Sequence, residues 1–144
     1  MLTAYVDTSL LVKRYVTEPG SDELDAYLLE AQPTLFISEL TRLELASTFA
    51  RKQREGRISA MHQAALRQQA DEEVLSGMLK LVNLDSGVLR QGLSLMQGLT
   101  QDLATLDAIH LASALRQKVD IFMTDDKQLA RAAAEAGIQV WSTQ

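Results

Sequence analysis

Brief apolar runs separated by longer stretches of helical periodicity set the pattern of this chain. Thr3–Val6, Thr34–Ile37, Leu79–Leu84, Ile121–Met123 and Ile138–Trp141 are short and rich in aliphatic or aromatic residues, which predicts strands. Between them apolar residues recur at three- and four-residue spacing. Helices are predicted over Ser9–Val16, Ser21–Glu30, about Ser38–Arg54, Ser59 to about Leu75, Gly87–Gln97, Thr105–Gln117 and Lys127–Ala136. Ser21 reads as a helix cap, Gly56 and Gly137 as helix stops, and Met78, Met96 and Met123 as core or helix-packing residues. Strands alternating with helices predict an α/β sandwich of three layers: a mainly parallel sheet of about five strands with helices on both faces.

In open sheets of this kind, ligands bind beyond the carboxyl ends of the strands. Asp7 closes the first strand and the pair Asp125–Asp126 follows the strand that contains Phe122, so both positions point into one crevice if those strands are neighbours. Two further carboxylates stand among apolar neighbours, Glu44 in ELTRLELA and Asp107 in TLDAIHLASAL. Each has a simple structural role open to it. Asp7 and one of the Asp125–Asp126 pair can cap the helices that follow, Glu44 can be a solvated helix residue, and Asp107 suits the positive end of its helix. The coincidence of all four is what those roles leave unexplained. The helix of Asp107 is apolar over most of its circumference, and it carries no Lys or Arg before Arg116. Such a helix is expected to be largely buried, and a carboxylate buried unpaired is costly, so an external cation is the natural partner.

Composition narrows the chemistry. With 144 residues the chain is read as a single domain spanning residues 1–144, and the absence of cysteine excludes disulfides, zinc knuckles, iron–sulfur clusters and thiol catalysis. Several oxygens and no sulfur define a hard-cation site for Mg²⁺ or Mn²⁺, with Ser9 and Thr124 as supporting hydroxyls that orient a carboxylate or a water. His110 and His62 are too few for a nitrogen-rich metal site, and His110 is read as a hydrogen-bonded structural residue. No segment resembles a secretory signal and no apolar run reaches membrane-spanning length, which predicts a cytoplasmic protein with no membrane association.

Four motifs, DTSLLVKRYV, TRLELA, LDAIHLASAL and FMTDDKQLA, occur in an order and spacing that resemble the PIN domain family, and more narrowly its VapC-type toxin ribonucleases. The resemblance runs from Tyr5 to Trp141. It implies a PIN-like α/β/α sandwich and divalent-metal-dependent cleavage of RNA by activated water, leaving a 5′-phosphate. It also implies an antitoxin partner and a homodimer. Carried onto this sequence, it makes Asp7, Glu44, Asp107 and Asp126 the metal-binding catalytic acids, the last chosen by a Thr-x-Asp pattern that leaves Asp125 in a supporting place.

The net charge of −5 argues against nucleic-acid binding, which draws affinity from Lys and Arg. Setting aside the four site acids leaves 15 acids against 14 bases, so the acidity is largely the site's own. Lys13, Arg14 and the run RKQREGR at 51–57 are candidate phosphate contacts, the run also being explained as a solvated helix end. A haloacid-dehalogenase-type phosphatase needs a second acid two residues after Asp7, where this chain has Ser9, and a receiver-like domain needs an early acidic pair that is absent. The remaining alternative is a catalytically silent binding module of the same fold, its acidic pocket occupied by a protein partner.

Overall fold

The computed structural model describes every residue from Met1 to Gln144. The chain runs β1 (Thr3–Val6), α1 (Thr8–Tyr15), α2 (Ser21–Ala31), β2 (Thr34–Ser38), α3 (Glu39–Arg54) and α4 (Ala60–Leu75). It continues through β3 (Leu79–Val82), α5 (Ser86–Gly98), α6 (Thr105–Gln117), β4 (Ile121–Met123), α7 (Lys127–Glu135) and β5 (Gln139–Trp141). All strand pairings are parallel and the strand order is β3-β2-β1-β4-β5. The α/β/α sandwich expected from the sequence is the fold observed.

Alternation along the central strands divides the core between the two faces of the sheet. Ala4 and Val6 of β1, with Ile121 and Met123 of β4, pack with α1–α4 residues such as Leu10, Leu24, Phe49 and Leu66. Tyr5 and Phe122 point the other way and pack against Leu111, Ala112, Leu129 and Ala132 of α6 and α7. Successive side chains on a strand face opposite sides, so the three-residue β4 feeds both layers. The chain winds outward from β1 through β2 to β3, then returns to the other side of β1 to lay down β4 and β5. Such a reversal makes the β1–β4 junction the crevice of a doubly wound sheet.

Boundaries depart from expectation where packing and capping decide them. β3 ends at Val82 rather than Leu84; Leu84 is partly exposed, and its N–H donates to Glu39 Oε1 at 2.7 Å. β5 begins at Gln139, one residue later than expected, and α7 ends at Glu135. Ser21 does not cap α2, because Gly20 at φ 98° holds that position. The Ser21 hydroxyl instead donates to the Lys13 carbonyl at 2.7 Å and accepts the Glu18 N–H at 2.9 Å, closing the α1–α2 turn. Met123 is in the core, whereas Met78 and Met96 are exposed. Gly56 and Gly137 stop their helices with positive φ, as expected.

Candidate functional site: an acidic pocket at the sheet switch point

Asp7 stands at the end of β1, only 4% exposed. It caps α1, its Oδ1 accepting the Leu10 N–H at 2.9 Å, and its Oδ2 accepts the Thr124 hydroxyl at 2.6 Å. Ser9 lies within 3.3 Å of both oxygens. Capping and site membership are therefore not competing roles for Asp7. Burial pushes its carboxyl above the ordinary range, against the hydrogen bonds from Thr124, Leu10 and Ser9.

Thr124 joins the two strand ends. Its hydroxyl also accepts the Asp126 N–H at 3.0 Å, and Asp126 Oδ1 caps α7 by accepting the Leu129 N–H at 2.9 Å. Asp125 takes the opposite direction. Its Oδ2 accepts from Lys13 Nζ at 2.7 Å and from the Thr143 hydroxyl at 2.6 Å, and its Oδ1 accepts the Thr143 N–H at 2.7 Å. The adjacent aspartates thus do not share the crevice expected for both: Asp125 ties the residues after β5 to α1, and Asp126 is exposed beside the pocket.

Glu44 reaches the site from within α3. Its Oε1 accepts the Thr8 hydroxyl at 2.6 Å and lies 2.7 Å from His110 Nε2. Burial raises its carboxyl, but the bonds from His110 and Thr8 outweigh that and hold it below the ordinary carboxylate range. His110 is buried, and its Nδ1 is 2.7 Å from the Tyr5 hydroxyl, so the reading of a hydrogen-bonded histidine agrees with the geometry. Sequence reasoning missed Thr8 and Tyr5. Thr8 lies one residue from Asp7, and a hydroxyl there was the available signal.

Asp107 differs from the other acids in having no hydrogen-bond donor. It is half-buried in the first turn of α6. Burial raises its carboxyl, and the charges of Asp126, Asp7 and Glu44 raise it further, with His110 opposing. The other three sequence-predicted acids are thus near enough for their charges to be felt at Asp107.

A divalent cation suits that pocket on chemical grounds. The candidate donors are all oxygens, Asp107 has no hydrogen-bond donor and feels the charges of Asp126, Asp7 and Glu44, and Asp126 Oδ2 and Glu44 Oε2 carry no hydrogen bond. No group of three or more acidic or histidine side chains stands close enough together to hold a metal ion as the side chains lie. An open arrangement fits Mg²⁺ or Mn²⁺, which take one or two carboxylates directly and keep several waters.

The candidate phosphate contacts are mostly committed elsewhere. Lys13 is paired with Asp125, and Arg14 with Glu73, both bases with side chains less than a fifth exposed. In the basic run, Lys52 is 4% exposed and pairs with Glu18 at 3.3 Å, which leaves Arg51, Arg54 and Arg57 at the surface. The expectation for Lys13 and Arg14 is corrected because long-range acids, unseen in the local sequence, neutralise them.

A five-stranded parallel sheet, with Asp7 at the end of β1 bonded to Thr124 just after β4, frames the candidate site. Residues 4–135 match the PIN domain, and the chain belongs to that family. It is 33% identical over 142 residues to Ribonuclease VapC46 of Mycobacterium tuberculosis, the alignment covering 97% of each chain. Among solved structures it is similar to FitAcB from Neisseria gonorrhoeae, with TM-score 0.72 at 16% identity over 98% of each chain. It is also similar to a chain of a toxin–antitoxin complex from Klebsiella pneumoniae, with TM-score 0.65 at 19% identity over 99% of this chain and 98% of the other. No helix is long and apolar enough to cross a membrane.

Proposed function

We propose that this protein is a divalent-metal-dependent endoribonuclease, the toxin of a toxin–antitoxin pair. Asp107 carries the reading: a half-buried carboxylate, raised by burial and by three neighbouring acids and given no donor, is an arrangement that a bound cation relieves. The similarity to Ribonuclease VapC46 supports RNA as the substrate, and the fold shared with a chain of a toxin–antitoxin complex supports an antitoxin partner. A homodimer is proposed on the family resemblance.

Asp107, Asp126, Glu44 and Asp7 would hold the cation directly or through water. Bound Mg²⁺ or Mn²⁺ supplies an acidified water for attack and charge neutralisation at the phosphate. The chain's own part is positional. Thr124 fixes Asp7 against the start of α7, Thr8 and His110 fix Glu44, and Asp107 remains free of donors.

End-labelled transfer and messenger RNAs incubated with wild type and Asp107→Asn, in Mn²⁺, Mg²⁺ or chelator, test this. Cleavage by the wild type with metal, absent with chelator and in the variant, is expected. Equal cleavage by both proteins would place the activity outside the pocket. Absence of cleavage by both, with the cation still bound by the wild type alone, would favour a silent binding module.

A further inference from the structure

Glu44 meets a difficulty the neighbouring aspartates escape. Asp7 and Asp126 are short side chains locked by capping the helices that follow them. Glu44 projects from the interior of α3 on a longer side chain, whose ordering costs more conformational entropy, and no helix terminus restrains it.

What holds it comes from α1 and α6, and both contacts fall on one oxygen. The Thr8 hydroxyl donates to Oε1 at 2.6 Å, and His110 Nε2 lies 2.7 Å from that same atom. Oε2 has no hydrogen bond.

The imidazole that fixes Oε1 is itself fixed. His110 is 3% exposed, and its Nδ1 is 2.7 Å from the hydroxyl of Tyr5, which has no exposed surface. Tyr5 cannot swing aside, because its ring stacks on Phe122 with centroids 5.6 Å apart and planes within 7°. An ionised carboxylate only accepts, so Nε2 is the nitrogen that donates to Glu44 Oε1, while Nδ1 is taken by the Tyr5 hydroxyl. His110 lies one turn after Asp107, and α6 thereby supplies one acid and orients another.

We propose that His110, braced by Tyr5, is a positioning residue that turns Glu44 so that Oε2 is the oxygen offered to a cation. This rests on the metal-dependent reading above. It assigns His110 no contact with metal or RNA.

The test is Mn²⁺ affinity of the full chain without RNA, measured by electron paramagnetic resonance of the free ion for Glu44→Gln, His110→Asn, His110→Gln and the double variant His110→Asn/Glu44→Gln. The Gln amide reaches the place of Nε2, and the Asn amide does not. His110→Asn is expected to weaken Mn²⁺ binding about 10-fold, the low end for loss of a ligand's hydrogen-bond partner, with His110→Gln within about threefold of wild type. The double variant should bind no more weakly than Glu44→Gln alone, because the histidine acts through that carboxylate.

Wild-type affinity in His110→Asn, equal losses in the Asn and Gln variants, or additive losses in the double variant would each overturn the proposal. Circular dichroism reports folding. Should His110→Asn fail to fold, Tyr5→Phe keeps the ring and removes the brace on Nδ1, and unchanged Mn²⁺ affinity there would also overturn it. If Glu44→Gln binds Mn²⁺ like wild type, Glu44 is no ligand and the proposal falls alone, whereas a wild type that binds no Mn²⁺ removes the metal reading itself. Weak binding in Glu44→Gln beside normal binding in the Tyr5 and His110 variants removes only the proposal.

Discussion

Thr124 donates its hydroxyl to Asp7 Oδ2 at 2.6 Å, and through that single bond the end of β4 is tied to the acid that ends β1. The Thr124 hydroxyl oxygen itself accepts the Asp126 N–H at 3.0 Å, so one fully buried side chain links two of the candidate acids. Replacing it by Val keeps the shape and deletes both bonds. Thr124→Val is expected to lose about 1–3 kcal/mol of stability, the range for a buried hydrogen bond to a charged group, read by urea unfolding. Thr124 is also the largest influence lowering the Asp7 carboxyl against its burial, so its loss pushes Asp7 further up. The acid limb of RNA cleavage should then move to higher pH, and Thr124→Ser should restore it.

Asp107 gives a prediction in which stability and function part company. Its folded carboxyl is raised above the ordinary value of 3.8, chiefly by burial and then by Asp126. A raised acid stabilises the fold below its unfolded pKa, and that contribution is lost as pH rises through the folded value. At neutral pH without metal, the ionised group is a net cost. Asp107→Asn should therefore melt above wild type at pH 7 in chelator, with the difference disappearing at acid pH. Saturating Mn²⁺ should reverse the order, since ligand at about 100 times its Kd stabilises the form that binds it by roughly 2.7 kcal/mol. Thermal melts with and without Mn²⁺ read both effects, and a wild type indifferent to the ion would sink the cation site.

Adjacent aspartates after β4 should separate cleanly. Asn is as good a helix cap as Asp, so Asp126→Asn should keep its melting temperature while cleavage falls. Asp125 is held below the ordinary range because the bonds from Lys13 and Thr143 outweigh its burial. A lowered acid contributes stability above its unfolded pKa that is lost as pH falls through the folded value. Asp125→Asn should thus lower the melting temperature at pH 7, by less as the pH drops towards 3. RNA cleavage at 20 °C, well below the melt, should change little, and parallel loss of cleavage in both variants would contradict the division of labour.

These pairings also show where sequence reading stops. The strands were legible because β1 and β4 are apolar on both faces, and the helix stops because Gly56 and Gly137 sit at positive φ. Asp7 was legible because a strand end, a carboxylate and a helix start coincide within a few residues. The fate of Asp125 was not, since its partners are Lys13 and Thr143, distant in sequence and brought together only by the β1–β4–β5 order. Glu44 was found by its place in a motif, whereas the pairing of its oxygen with His110, 66 residues away, required the fold. Arg14 was misjudged for the same reason.

Arg14 pairs with Glu73 of α4, which also accepts the Tyr15 hydroxyl at 2.6 Å. Beside the apolar contacts of Leu66, this carboxylate thus ties α4 to the end of α1 opposite Asp7. Burial raises Glu73, but the bonds from Arg14 and Tyr15 win and hold it low. By linkage its stabilising contribution is present above the ordinary 4.5 and is lost as pH falls through the depressed value. Glu73→Gln keeps the volume and removes the charge, leaving Arg14 and Tyr15 facing an amide. It is expected to cost about 1–3 kcal/mol at pH 7 by urea unfolding, with the gap to wild type narrowing below pH 4. RNA cleavage should be unchanged, because no pocket acid touches this cluster. A loss of cleavage at full stability would instead give Arg14 the phosphate-binding role that its ion pair argues against.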